Sequence, residues 1–167
     1  MKKRLAIALS LISASVFAAE LAPNDRKKIE AELSSLTQAF QQNNIAQSVE
    51  VMPPALLNYM AKQAKVDTAE FKKALVDISN SITEQVKLED YRYDIANTHA
   101  KKSTNGRDYA FIPTVTKMNM NGQIITVDGY LLGVEEKGQW HFINWDKEYI
   151  PIIKAVYPDL EGIKAPQ

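Results

Sequence analysis

The sequence contains no cysteine among its 167 residues. Disulfides are thereby excluded, as are thiolate metal sites and lipid attachment to an N-terminal cysteine. Histidine is almost as scarce, with only His99 and His141 present. They show neither the H-x-x-x-H nor the H-E-x-x-H spacing that sets two zinc ligands on one helix face. No G-x-S-x-G elbow accompanies them, so a serine hydrolase triad lacks its nucleophile turn. The six glycines form no phosphate-cradling loop, and Asn119-Met120-Asn121-Gly122 lacks the carboxylates of a calcium loop. No cofactor and no metal are expected. Charge of either sign is not in excess: the formal net charge is zero, and no Lys/Arg cluster stands on one predicted face. The basic footprint of a nucleic-acid-binding protein is therefore missing.

What is present begins with Met1-Lys2-Lys3-Arg4, an apolar stretch from Leu5 to Phe17, and then Ala18-Ala19-Glu20. A basic start, a short apolar run and small residues at a cleavage point have the form of a secretory signal. Residues 1–18 are expected to be removed, and the short signal has a bacterial look, so the destination is the periplasm. The run is too short to span a bilayer, which takes roughly 20 apolar residues. No membrane span is expected after cleavage. Loss of Lys2, Lys3 and Arg4 leaves 17 basic against 20 acidic residues. Residues 19–167 form one expected domain, long enough to bury a core without metal or disulfide.

The character of the chain changes near residue 88. Before it, apolar residues recur at helical spacing; after it they alternate, and β-branched and aromatic residues dominate. Ile29, Leu33, Leu36 and Phe40 define a first helix over about 25–42. A further helical turn or two fits 45–52. Pro53-Pro54 opens a second helix with the stripe Leu56, Leu57, Met60 and Ala64, since proline costs nothing in a first turn. Asp67-Thr68-Ala69-Glu70 is spaced like a capping box for a third, whose face is Phe71, Leu75, Ile78, Ile82 and Val86. Four strands are expected next: one from Tyr91 that reaches as far as Lys101, then 108–120, 123–135 and 139–145. Pro113 demands a bulge or an edge position in the second of these, and Asn121-Gly122 is a strong type I′ hairpin signal. A short helix over 147–157 stops at Pro158. Helices followed by hairpin-linked strands predict an α+β fold, with three N-terminal helices packed on one face of a curved four-stranded antiparallel meander.

The segment Tyr130-Leu131-Leu132-Gly133-Val134, followed by Glu136-Lys137-Gly138-Gln139-Trp140-His141-Phe142, resembles the closing hairpin of the nuclear-transport-factor-two-like superfamily, also described as the steroid-isomerase-like roll. Met52-Pro53-Pro54 is similar to bacterial exported members of unknown role. A cystatin-like roll fits the same order of elements. The resemblance implies a cone-shaped cavity between the helices and the concave sheet, with Tyr93, Asp128, Tyr130 and Asn144 as the candidate ligand-binding set. Asp128 and Tyr130 are two residues apart and share a strand face. A desolvated carboxylate there would gain proton affinity, and a tyrosine hydroxyl would stabilise negative charge. The other expectation is a carboxylate paired with lysine at a strand edge, beside ordinary half-buried tyrosines.

If Trp140 and Phe142 face the core, alternation puts His141, Ile143 and Trp145 on the opposite face. Ile143 and Trp145 then need covering by the C-terminal helix or by a second subunit, so a homodimer through that face is one expectation. Both histidines are expected at the surface. The leading functional expectation is a non-enzymatic periplasmic protein binding a small apolar molecule or an envelope protein partner. The alternatives are an isomerase- or lyase-type enzyme using the same cavity, and a partner-specific inhibitor or immunity-type protein.

Overall fold

The computed structural model describes residues 21–166, so the expected signal segment lies outside the described residues. The element order is α1 (Pro23–Gln41), α2 (Gln47–Glu50), α3 (Pro54–Ala64), α4 (Thr68–Thr83), β1 (Val86–Tyr93), β2 (His99–Lys102), β3 (Asp108–Met120), β4 (Gln123–Glu136), β5 (Gln139–Asn144) and α5 (Ile150–Val156), followed by a 3₁₀ turn at Pro158–Leu160. The fold is α+β, helices first and then a curled antiparallel sheet. None of the described helices is long and apolar enough to cross a membrane.

Local chemistry accounts for most element ends. Pro23 and Pro54 sit in first helical turns, where a missing N–H leaves no bond unmade. Asp67 caps α4 by accepting from the Glu70 backbone N–H at 2.8 Å. Asn121 and Gly122 both have positive φ, 54° and 84°, as the two-residue β3–β4 hairpin requires. Lys137 and Gly138 repeat the arrangement between β4 and β5.

The sheet runs β1-β3-β4-β5, and β2 also pairs with β3. The single long strand expected from Tyr91 to Lys101 is therefore two strands laid end to end along β3. Pro113 explains the break. Its carbonyl accepts from Asp94 N–H at 2.9 Å, and a residue's N–H and C=O point to the same side of an antiparallel strand. The donor that proline lacks thus faces the gap between Tyr93, opposite Thr114, and His99, opposite Phe111. Pro113 does occupy an edge position, but a local one inside the sheet. At the helical end, α4 stops at Thr83 and Val86 begins β1, so Val86 belongs to a strand and not to the helix stripe.

The helices do not share one face of the sheet. Ile29, Leu33 and Leu36 of α1 pack with Ile112, Leu131, Trp140 and Phe142 on one side. Leu56 of α3 and Ile153 of α5 pack with Phe111, Leu132, Val134 and Ile143 on the other. The reason lies in the central strands, where Tyr109-Ala110-Phe111-Ile112 and Leu131-Leu132-Gly133-Val134 are buried without interruption. A strand buried on both faces reads as a continuous apolar run rather than an alternation. Gly133 sits where the layers are tightest: a Cβ there would lie 3.2 Å from Phe142 and 3.3 Å from Trp140.

Among the described residues, three polar contacts tie α1 to the sheet and its loops. Trp140 Nε1 donates to Asp25 at 3.3 Å, Lys28 Nζ to the Gly138 carbonyl at 3.0 Å, and Arg26 to the Ile95 carbonyl at 3.2 Å.

Candidate functional site

Beyond the packed centre, the sheet face on the α1 side remains partly uncovered. A cavity of about 250 Å³ lies there between the α1–α2 region and the strands. Leu36 and Phe40 come from α1, Val51 follows α2, Leu88 and Tyr91 come from β1, and Thr116 and Met118 come from β3. Leu131, Phe142 and Asn144 close the β4–β5 side. The volume is near the lower end of small-molecule sites, about 300–1,000 Å³, and the lining is mostly apolar with a few polar groups.

Tyr91 is the unusual member of this wall. Its hydroxyl is shielded from solvent and has no hydrogen-bond partner among the described residues. A buried polar group without a partner is expensive, roughly 1–3 kcal/mol, and such groups are rare in folded proteins. Burial, and secondly the nearby Tyr93, push the Tyr91 phenol well above the ordinary tyrosine range, so it is a neutral donor at any physiological pH. The ring is fixed edge-on against Phe40, with centroids 4.9 Å apart.

A β-bulge puts Tyr91 in the cavity wall. Leu88 is opposite Met118, but Asp90 is opposite Lys117, so Glu89 is an extra residue in β1. Leu88 and Tyr91 consequently face the same side despite their odd spacing, because Thr116, opposite Tyr91, and Met118 share a face of β3.

The four residues expected to line a ligand site are divided by the sheet. Asn144 lines the cavity. Tyr93 lies on the same sheet face and packs against the α1-side core, outside the cavity lining; burial, and then the charge of Glu30, raise its phenol pKa. Asp128 and Tyr130 share a face, as their spacing requires, but it is the opposite one. Tyr130 packs edge-on against Phe111 in the α3–α5 core. Asp128 is exposed, across from Val115. Strand parity alone could not reveal this division, because it relates residues within a strand and not between strands.

Ile143 and Trp145 do lie opposite Trp140 and Phe142, within the α3–α5 core. Trp145 stacks edge-on to Phe111 at 5.0 Å, and Ile153 and Tyr149 from the C-terminal segment join the same cluster. The C-terminal helix supplies their cover. His99 and His141 are both half-buried.

Tyr91, Phe40 and Thr116 were not among the expected site residues. The tyrosine pair at 91 and 93 was the available signal, since two residues apart on a strand means one face, but the bulge that recruits Leu88 has no marker in the sequence.

No protein-family model matches this sequence, and a search of curated proteins finds no significant relative.

Proposed function

We propose that this protein binds a small, largely apolar molecule carrying one hydrogen-bond acceptor, and that it acts as a binding protein and not as a catalyst. The unpartnered Tyr91 hydroxyl in the wall of an apolar cavity carries this reading. A ligand with a carbonyl, ether or carboxyl oxygen would accept from that hydroxyl while its apolar body lies against Leu36, Phe40, Leu131 and Met118. Each part of the exchange is favourable: apolar surface leaves water at about 25 cal/mol per Å², and a buried donor gains its missing partner. The acid–base alternative is less well supported, because the carboxylate expected to move a proton, Asp128, is exposed and on the other sheet face. The N-terminal sequence reads as an export signal, so the periplasm is the compartment in which we infer that the ligand is met.

Native mass spectrometry of protein recovered from its own cells tests both parts. The expected spectrum shows a chain lacking residues 1–18 with a small adduct of one stoichiometry, which is lost in a Thr116→Phe variant that fills the cavity. A folded, adduct-free protein that also fails to retain any member of a small-molecule library would overturn the ligand reading. A chain that keeps its first 18 residues would overturn export.

A further inference from the structure

Sheet edges expose unpaired N–H and C=O groups and invite another strand, so proteins shield them with charges, bulges or covering elements. Three of the edges in this sheet are shielded, the shortest being β2, which pairs only with β3, has four residues and carries Lys101 and Lys102. β1 carries the bulge at Glu89 and the charges Lys87, Asp90 and Arg92, with Arg92 paired to Asp90 at 3.0 Å. β5 is six residues long, and Phe142 N–H on its outer side donates to the Val51 carbonyl at 2.8 Å.

The first half of β4 has no such protection. β5 pairs with β4 only over Leu131–Glu136, while β3 pairs along the whole of Gln123–Val134. Among the described residues, 123–129 therefore have a strand on one side only. This stretch contains no proline and no bulge, its one charge is Asp128, and it exposes Ile124 (60%), Val127 (45%) and Ile125 (39%). Such a row of open backbone groups flanked by apolar side chains calls for an extended strand as its occupant.

The direction of the open groups follows from the pairing. The Tyr130 carbonyl accepts from Trp145 N–H on the β5 side, and the β3–β4 register is unbroken from Tyr109 to Met120. Alternation then points the N–H and C=O of Ile124, Thr126 and Asp128 outward.

We propose that this segment pairs antiparallel with the same segment of a second copy of the chain, about a two-fold axis at Thr126. That register sets Thr126 against its own counterpart and Ile124 against the second copy's Asp128, so all three outward residues exchange both their bonds. Ile125 then lies beside the second copy's Val127 on the face that carries the cavity, and Val127 beside its Ile125, which gives two apolar cross-strand pairs. The two Asp128 carboxylates are kept about four residues apart along the strands, roughly 13 Å. A register two residues further along would set each Asp128 against Thr126 and draw the two charges together. The segment is thus complementary to itself in hydrogen bonding, apolar contact and charge, and the shielding of the other three edges leaves this one to make the pairing.

The absence of native cysteine allows a direct test. Wild-type protein should sediment at twice the chain mass, and Thr126→Cys should form a disulfide-linked dimer under mild oxidation, since paired residues that exchange bonds have Cα atoms about 5.5 Å apart. Ile124→Cys should not, because its two copies would lie roughly 13 Å apart. Thr126→Pro removes an outward donor and should give a monomer with an unchanged circular dichroism spectrum. Should that variant misfold, Val127→Lys is expected to give the monomer instead. The inference fails if wild type sediments as a monomer at its highest soluble concentration. It fails equally if Thr126→Cys cross-links no better than a cysteine placed at Lys137, or if the edge is occupied only by a strand from another protein.

Discussion

The guanidinium of Arg107, just before β3, donates to the Asp159 carboxylate at 3.0 Å across 52 residues of chain. A second Arg107 nitrogen donates to the Glu135 carbonyl at 3.2 Å, and the guanidinium lies 4.8 Å from the ring centre of Tyr157. Tyr157 in turn donates its hydroxyl to Glu136. The C-terminal turn is thus fastened to the β2–β3 and β4–β5 ends of the sheet. Burial alone would raise the Asp159 pKa, but hydrogen bonds from Ser103 and Arg107 and the arginine's charge outweigh it and hold the carboxyl below its ordinary value.

A folded-state value below the unfolded one stabilises the protein at pH above the unfolded carboxylate range, about 3.9. That stabilisation disappears as pH falls through the lower folded value. Denaturant melts on the acid side should therefore show a loss of stability that Arg107→Ala largely removes. At neutral pH the variant should be less stable by roughly 1–3 kcal/mol, because Asp159 is left buried without its charged donor. Equal acid-limb slopes for variant and wild type would refute the assignment.

Gly133→Ala should destabilise by about 1–3 kcal/mol. The new methyl group would meet Phe142 at 3.2 Å, Trp140 at 3.3 Å and Ile112 at 3.4 Å, all of them side chains of the α1-side core. A thermal melt is sufficient, and an unchanged midpoint would mean that the layer is looser than these distances imply. Gly106→Ala is the informative contrast, since open space surrounds that position and only its positive φ resists the change.

Element identity was largely legible in the sequence because it depends on local chemistry. The Pro53-Pro54 start, the Asp67 cap and the Asn121-Gly122 hairpin each act through a neighbour one to four residues away, and each is found where expected. The assignment of helices to faces was not legible. It turns on Leu131-Leu132-Gly133-Val134 being buried on both sides, and a continuous apolar run is compatible with several layer arrangements. The cavity was less legible still: the bulge at Glu89 decides that Leu88 and Tyr91 stand together, and that choice is made by pairing with β3.

Asp128→Asn is expected to leave both stability and ligand retention unchanged. The carboxylate is exposed, and the cavity lies on the other side of the sheet. Surface substitutions of this kind usually stay within about 0.5 kcal/mol. Adduct retention in native mass spectra and a denaturant midpoint suffice to check this. A large loss of either would return Asp128 to the functional site and revive the acid–base alternative.

Tyr91→Phe separates stability from binding. The hydroxyl has no partner among the described residues, and removing an unsatisfied buried donor while keeping the ring and its contact with Phe40 costs little or is stabilising, by up to about 1 kcal/mol. Ligand retention should move in the opposite direction, falling by roughly fivefold to tenfold for one lost hydrogen bond of about 1–1.5 kcal/mol. The alkaline limb offers an independent check. Burial and the neighbouring Tyr93 raise the folded phenol pKa above the unfolded value, so its contribution to stability is complete below about pH 10 and is lost as pH rises toward the folded value. Tyr91→Phe should accordingly lose less stability between neutral and alkaline pH than wild type does. A variant that is less stable at neutral pH and binds as tightly as wild type would show that the hydroxyl has a structural partner and no ligand to serve.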